Sequence, residues 1–319
     1  MISSLSESTL QGKKNLLAFS AGVDSTALFF LLLEKNIDFD IAIVDYNLRA
    51  QSKDEVAYAN RLALKYEKSI HHKSVTLEIN SLEKNAREQR YTFFEEIIEK
   101  NSYDNLLTAH QLNDRLEWFL MQLSRGSGIV EMVAMSEIEK RDSYTLIRPL
   151  LSISRDELQE YLEKNSLKFF IDESNKDTKF TRNYFRHNFA TELIKNSSNA
   201  IKKSFSYLEE DIDNLIEKVD IYHTLNLYKF KTPKTLRSLR FHIDKILKEN
   251  GTLLSSAQRD EIKFNSEIVL SGKFVVAMTE DITWIAPYIK VKMDKKFKEK
   301  CRTKKIPKKI RPYLFANNL

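Results

Sequence analysis

Cysteine is almost absent from this 319-residue chain, in which Cys301 is the only thiol. A single cysteine excludes an internal disulfide and a zinc cluster built from cysteines. It also excludes the paired cysteines that sulfur transfer or an iron–sulfur cluster normally requires. The composition therefore favours a reduced, cytoplasmic setting.

Long apolar runs are also missing. The longest, residues 27–33, is too short to span a bilayer. The first nine residues have neither a basic start nor an apolar core, so we expect no signal peptide. Hydrophobic residues make up 42% and charged residues 30% of the chain, which is typical of a soluble globular protein long enough for about two domains.

Acidic residues are scarce in one segment of the chain. Residues 290–311 contain twelve Lys or Arg but only two acids, Asp294 and Glu299, so the net charge of this segment is +10. The net charge of the whole chain is +6. The rest of the chain therefore carries −4. A concentrated basic segment beside a weakly acidic body indicates a polyanionic partner. A solubilising tail without a specific partner is the alternative.

Short apolar runs alternate with helical patterns through the first half of the chain. This alternation predicts an α/β fold, a Rossmann-like parallel sheet with helices on both faces, in which ligands bind beyond the carboxyl ends of the strands. Ser20, Asp45 and His110 all fall at such ends. The predicted strands are 16–19, 40–44, 70–75, 105–109 and 144–147, and the predicted helices are 26–33, 53–66, 82–98 and 112–123.

The second half has a different pattern. Residues 155–219 are mainly helical and extend the first domain, 1–219. Residues 220–319 form a smaller, mostly helical α+β domain, with a basic amphipathic helix at 234–248 and two or three strands within 267–286. No linker rich in proline or glycine marks the boundary at Asp220.

The sharpest motif is a short loop of small residues between a predicted strand and a predicted helix. Free N–H groups and the helix dipole at this point can hold a phosphate. The motif lacks the Gly-Lys-Ser/Thr of a Walker A loop. The alternative is a serine-capped helix without a ligand. The nucleotide-binding candidates are Ser20, Ala21, Gly22, Val23, Asp24 and Ser25.

A second candidate loop, Arg125-Gly126-Ser127-Gly128, follows a predicted helix. Arg125 suits a phosphate or a carboxylate, and we place it with the ATP-binding candidates. Gly126 could equally be a simple helix C-cap.

Several charged residues near the strand ends are candidates for catalysis. His110, Asp114 and Glu117 would share one helical face if the helix starts early, and could then move a proton or position a metal–nucleotide complex. First-turn acids that complement the helix dipole are the alternative. Asp45 at a strand end and Arg87 on a helix complete the catalytic set.

Together these segments resemble the tRNA(Ile)-lysidine synthetase family of PP-loop ATP pyrophosphatases, over residues 16–187. The most specific piece is Asp172-Glu173-Ser174-Asn175 followed by Arg182-Asn183-Tyr184-Phe185-Arg186. The other matching segments are 20–25, 44–49, 85–91, 108–117, 125–128 and 148–155.

The chain also departs from the family pattern. Ala21 stands where the family has the first glycine of its loop, so unusual backbone angles would be strained there. Asn113 stands where the family has the first carboxylate of an acidic pair. The remaining departures are Tyr46, Asn47, Gln111 and Trp118.

The resemblance implies a two-step reaction. ATP adenylates O2 of the wobble cytidine in an isoleucine tRNA with a CAU anticodon, and the ε-amine of free L-lysine then displaces AMP. It also implies Mg²⁺, bound mainly by the ATP phosphates with Asp24 or Asp45 as protein ligands. The tRNA contacts expected are Arg182, Asn183, Arg186, Lys304 and Lys305. We expect no membrane partner, and a homodimer is one alternative for the oligomeric state.

Three rival functions fit parts of the sequence. A tRNA-thiolating PP-loop enzyme would need paired cysteines, which the chain lacks. An amidotransferase-type pyrophosphatase would explain neither residues 172–175 nor the basic segment. A non-catalytic RNA-binding protein with a degenerate nucleotide site would fit Ala21 and Asn113.

Overall fold

The computed structural model describes residues 2–47, 51–75, 82–171 and 181–319. Leu48, Arg49 and the segment 172–175, which contribute to the resemblance, lie outside the described residues. The chain divides into two compact units, Met1–Leu208 and Glu209–Leu319. The division falls within one long helix, whereas we expected a boundary at Asp220. Nothing in the local sequence marks the division after Leu208, because the helical periodicity of residues 191–215 continues across it.

The first unit alternates strands and helices. A π-helical turn, Arg186–Ala190, joins the last two helices, and the final helix runs on past the division between the units. The elements are α1 (Ser4–Leu10), β1 (Asn15–Ala18), α2 (Val23–Glu34), β2 (Asp40–Asp45), α3 (Gln51–Lys65), β3 (Ile70–Ser74), α4 (Leu82–Asn101), β4 (Asn105–Leu107), α5 (Leu112–Ser124), α6 (Ile129–Met132), β5 (Ile138–Lys140), β6 (Thr145–Ile147), α7 (Arg155–Lys164), α8 (Thr181–Phe185) and α9 (Thr191–Leu215).

The six strands of this unit form one sheet in the order β3-β2-β1-β4-β6-β5. All neighbouring pairs are parallel except β5 and β6. The parallel α/β fold is thus confirmed, with β5 as an edge strand that the sequence did not predict. One face packs against α2, α3 and α7 and the other against α4, because side chains such as Leu17 and Leu16 alternate between the two faces.

The strand order places the site. Strand β1 lies between β2 and β4: the chain runs from β1 outward to β2 and β3, and then crosses back to β4 on the other side of β1. Open α/β sheets bind ligands at such a switch point, beyond the carboxyl ends of the strands. The loop at residues 20–22 follows β1, Asp45 ends β2, and His110 follows β4.

The second unit contains a five-stranded antiparallel sheet in the order β7-β8-β11-β10-β9. The predicted helix at 234–248 and the strands within 267–286 are confirmed, whereas β7 and β8 were not predicted. The elements are β7 (Tyr222–Thr224), β8 (Leu227–Lys231), α10 (Leu236–Glu249), α11 (Ser256–Glu261), β9 (Glu267–Leu270), β10 (Phe274–Met278), β11 (Ile282–Pro287), α12 (Lys295–Thr303) and α13 (Arg311–Ala316).

The basic segment 290–311 is a folded part of this unit. Helix α10 packs on one face of the sheet, while Cys301 and Ile310 are buried on the other face with α12 and α13. Backbone N–H groups of Lys308 and Lys309 donate to the Glu267 carboxylate at 3.1 and 2.7 Å. The segment therefore belongs to the core of the unit as well as to its charged surface.

Candidate active site

The loop after β1 turns sharply into the N-terminus of α2. Gly22 is the helix N-cap, and no side chain caps it, so the first N–H groups of α2 are available to a ligand. The Ser20 N–H donates to Ser25 Oγ at 3.2 Å, and the two serine hydroxyls lie 3.1 Å apart. Two hydroxyls beside a bare helix N-terminus are suited to a phosphate group.

Ala21 adopts the strained conformation that the sequence predicted. Its φ is +59°, in the left-handed region that favours glycine. Its carbonyl oxygen accepts a hydrogen bond from the Phe170 N–H at 3.0 Å, and its methyl group is fully buried. Core packing and this hydrogen bond hold the loop in shape despite the Cβ.

Asp24 lies in the first turn of α2 with one carboxylate oxygen, Oδ1, buried and without a hydrogen-bond partner among the described residues. Burial and, next in size, the nearby charge of Asp114 raise the pKa of this carboxyl to about 7, although the charge of Arg155 opposes them. An orphaned buried carboxylate oxygen is costly unless a proton or a cation satisfies it.

The acids on α5 are paired with arginines from α8 and the π-helical turn. Glu117 is fully buried, and its carboxylate accepts from Arg186 Nε at 2.6 Å and from Arg182 Nε at 2.8 Å. Arg182 also donates to Asp114 Oδ1 at 2.6 Å. The predicted tRNA contacts of Arg182, Asn183 and Arg186 stay a prediction, and the structure places the guanidinium groups of Arg182 and Arg186 against these acids.

Asp114 has two further roles. Its Oδ2 accepts the Gln111 N–H at 3.1 Å and so completes the capping box of α5. Burial would raise the pKa of Asp114, but Arg182, His110 and this backbone hydrogen bond together lower it below its usual range. The carboxyl is therefore ionised. Asp114 complements the dipole of α5 as a first-turn acid, which was one of the two alternatives, and it also forms ion pairs.

His110 precedes α5, which begins at Leu112, so it does not continue the helical face of Asp114 and Glu117. The assumption of an early helix start was wrong, because Gln111 caps the helix. The loop nevertheless brings the imidazole close to Asp114. Burial lowers the pKa of His110 to about 4, and its Nδ1 lies 2.9 Å from Thr108 Oγ1. The ring is neutral at physiological pH.

The remaining predicted residues are less closely grouped. Asp45 is buried at the end of β2, where its Oδ1 accepts the Asn47 N–H at 2.8 Å. Arg87 is exposed, with its guanidinium 4.9 Å from the ring centroid of Tyr91. Arg125 is exposed at the C-cap of α5.

Gly126 follows that C-cap with φ of +71°, and its N–H donates to the Leu123 carbonyl. The glycine therefore ends a helix, which agrees with the interpretation of Gly126 as a helix C-cap.

Two residues of the site were not assigned from the sequence. The charge of Arg155, at the start of α7, lowers the pKa of Asp24, so the guanidinium faces the loop. Asn113, which replaces the family's carboxylate, accepts the Arg155 N–H through Oδ1 at 3.1 Å. An amide oxygen can fill this acceptor role as well as a carboxylate can. The sequence signal that could have identified Arg155 as a site residue was its position in the segment 148–155, which matches the family.

Comparison with known proteins decides the family. A PP-loop domain matches residues 2–193. The chain is 42% identical over 311 residues to a tRNA(Ile)-lysidine synthase of Campylobacter jejuni, covering 97% of this chain and 95% of that protein. It is also 42% identical over 319 residues to the synthase of Helicobacter pylori strain 26695, covering 97% and 92%.

The chain belongs to the tRNA(Ile)-lysidine synthase family.

Family membership accounts for the whole length of the chain, since the alignments include the second unit as well as the PP-loop domain. A solved structure, the U34-tRNA thiolase NcsA from Methanococcus maripaludis with its [4Fe-4S] cluster, shares the fold at a TM-score of 0.54 and 20% identity. The match covers 66% of this chain and 77% of the thiolase chain. It supports the PP-loop architecture.

The resemblance implied Mg²⁺ bound mainly by the ATP phosphates, and this stays a prediction. Among the described residues, no group of three His, Cys, Asp or Glu side chains could hold a metal ion by itself. Mg²⁺ would therefore take most of its oxygen ligands from ATP phosphates. The unpartnered Oδ1 of Asp24 beside the phosphate loop is the protein oxygen that best fits such a cation.

The buried pairing of Glu117 predicts a stability effect. Glu117→Gln removes the charge that Arg182 and Arg186 both contact through Nε, and should lower the free energy of unfolding by about 3 kcal/mol. Urea denaturation measures the difference. Glu160→Gln, at an exposed acid on α7, is the matched control and should change stability little. If Glu117→Gln unfolds like the wild type, the cluster does not stabilise the fold.

The raised pKa of Asp24 predicts a pH dependence for the ligand-free protein. A buried carboxyl that holds its proton stabilises the fold below pH 3.8, and this contribution is lost as the pH rises through about 7. Asp24→Asn cannot ionise, so its stability relative to the wild type should increase between about pH 4 and 7. The slope is at most about 1.4 kcal/mol per pH unit. Parallel pH–stability curves for the two proteins would contradict the assignment.

Proposed function

We propose that this chain joins free lysine to the wobble cytidine of an isoleucine tRNA with a CAU anticodon, as an ATP-dependent carbon–nitrogen ligase. The observation that carries the proposal is the bare N-terminus of α2 with its two serine hydroxyls, facing a buried carboxylate–arginine cluster. Near-full-length similarity to lysidine synthases supports the same reaction.

In the first step O2 of the cytidine attacks the α-phosphorus of ATP, and pyrophosphate leaves. The N–H groups of α2, with Ser20 and Ser25, bind the phosphates as charge moves onto the leaving group. Arg155 adds a positive charge near Asp24. Mg²⁺, when bound, neutralises phosphate charge, with Asp24 as its protein ligand.

In the second step the lysine ε-amine attacks C2 of the adenylated cytidine, AMP leaves, and the nitrogen loses a proton. His110 is neutral and can hold a hydrogen bond near the reacting atoms, but a pKa of about 4 makes it a weak base. Both oxygens of Glu117 are already bonded to arginines. Asp45 is therefore the better candidate for binding an ammonium group of lysine.

The second unit supports a role in tRNA binding. Residues 290–311 concentrate the positive charge of the chain, and α12 presents Lys304 and Lys305 at exposed positions near its end. Arg182 and Arg186 would act on tRNA only indirectly, by shaping the cluster around Glu117. We retain residues 1–219 and 220–319 as the functional domains, although the compact units divide earlier.

Two further expectations belong to this proposal. We infer a cytoplasmic location from the proposed tRNA substrate. Within the described ranges, no helix has the length and hydropathy of a membrane span. A homodimer stays a prediction.

The phosphate loop generates the first functional test. Ser25→Ala should lower ATP–pyrophosphate exchange in the presence of tRNA by about 10²-fold, because a hydroxyl donor to the phosphates is lost. The tRNA affinity should stay close to that of the wild type. Ser8→Ala, at an exposed serine on α1, is the control. Wild-type exchange in Ser25→Ala at saturating ATP would contradict the nucleotide assignment.

The basic segment generates the second test. Deleting it would expose the face of the sheet around Ile310, so charge-neutralising substitutions are the better experiment. Lys304→Gln with Lys305→Gln should weaken tRNA binding and reduce the slope of log affinity against log salt by roughly 0.7–0.9 for each lost phosphate contact. Lys245→Gln, at an exposed lysine on α10, should leave the slope unchanged. Parallel salt curves for the double variant and the wild type would show that these lysines do not contact RNA.

A further inference from the structure

The second unit contains a pocket of about 380 Å³ between its sheet and α12. This volume lies at the lower end of the range found for small-ligand sites. The pocket lies on the face of the sheet that α12 and α13 partly cover. Among the described residues that line it, no side chain is acidic, and three are lysines: Lys229, Lys300 and Lys304.

A row of three side chains forms the floor of this pocket. Tyr222 on β7 pairs with Lys229 on β8, and Lys229 pairs with Trp284 on β11. Residues that are directly paired on neighbouring strands point to the same face of a sheet. The Lys229 ammonium lies 4.3 Å from the Tyr222 ring centroid and 5.0 Å from the Trp284 ring centroid. Tyr222 is 55% exposed, and Trp284 is half-buried.

Helix α12 forms the wall of the pocket. Phe297, Lys300, Cys301 and Lys304 share one face of this helix, since they are spaced by three or four residues. Phe297 packs against the apolar cluster on this face of the sheet, and Cys301 is buried. Lys300 and Lys304 are exposed and also line the pocket, at its rim. The pocket thus combines flat aromatic surfaces with cations at fixed positions.

We infer that this pocket binds a single unpaired nucleotide of the RNA substrate. The base would stack on the aromatic row of Tyr222 and Trp284, and the adjoining phosphates would lie near Lys300 and Lys304. Aromatic platforms beside positive charge are the common way in which proteins hold unpaired bases. The inference rests on the proposed tRNA substrate and adds a defined nucleotide-binding site to it.

The observations favour RNA over an acidic peptide, the other polyanion that three lysines could attract. A peptide carboxylate needs cations but gains little from stacking surfaces. An exposed tyrosine and a half-buried tryptophan, held on either side of one lysine, offer the π faces that every nucleobase can use.

A fluorescence experiment can test the pocket directly, because the chain has only two tryptophans. In full-length Trp118→Phe protein, Trp284 is the remaining reporter. Titration with a single-stranded hexanucleotide, A6, should quench its emission, and a blunt-ended RNA duplex made of two separate strands, which has no unpaired nucleotide, should not. Polyglutamate of matched charge should also leave the emission unchanged. Equal quenching by polyglutamate would identify an acidic-peptide site, and no response to A6 would exclude nucleotide binding.

An affinity series separates stacking from charge. Tyr222→Leu and Trp284→Leu should each weaken tRNA binding about tenfold with an unchanged salt slope, because a stacked ring carries no charge. Trp284→Phe keeps a ring and should recover most of the affinity. Phe264→Leu, at an exposed aromatic elsewhere in the unit, is the matched control.

Charge at the rim has a different signature. Lys300→Gln should reduce the salt slope by roughly 0.7–0.9, while Lys298→Gln, at an exposed lysine of the same helix outside the pocket, should reduce it less. If wild-type protein forms lysidine but the pocket variants bind tRNA normally, the pocket is excluded and the proposed function stands. If A6 binds but no lysidine forms, the pocket stands and the proposed function fails.

Discussion

The buried carboxylate of Glu117 constrains the first unit more than any other single group. A charge without solvent access costs several kcal/mol unless it is paired and hydrogen-bonded. Arg182 and Arg186 provide that pairing from a segment that follows the sheet in sequence. The requirement therefore fixes α8 and the π-helical turn against α5.

This pairing also determines the electrostatics of the nucleotide loop. Arg182 holds Asp114 in its ionised form, and that charge in turn raises the pKa of Asp24. In the proposed mechanism, Asp24 exchanges a proton for a cation when a charged phosphate group binds. A structural ion pair on one helix and a functional carboxyl on another are linked through space at the switch point of the sheet.

In the second unit, one segment provides both positive surface charge and apolar packing. Its basic segment carries the charge that we propose attracts tRNA, and the same segment covers one face of the sheet. Helix α12 does both, since Phe297 and Cys301 face the sheet while Lys300 and Lys304 line the pocket rim. Lysine stems can lie along apolar surface while their ammonium groups stay in water.

The sequence by itself determined the parallel α/β fold, indicated the phosphate loop, and marked Ala21 as a position where unusual backbone angles would be strained. These follow from local patterns, namely strand and helix periods, small residues at one turn, and an alanine where a glycine fits better. Only the tertiary structure decided that Arg182 and Arg186 serve Glu117, that His110 is neutral, and that Tyr222, Lys229 and Trp284 form one row. Those properties depend on which distant segments meet and on how much water they exclude, and neither is encoded in the spacing of residues along the chain. Burial and pairing between remote elements set the charges of the site, so they appear only when the chain is folded.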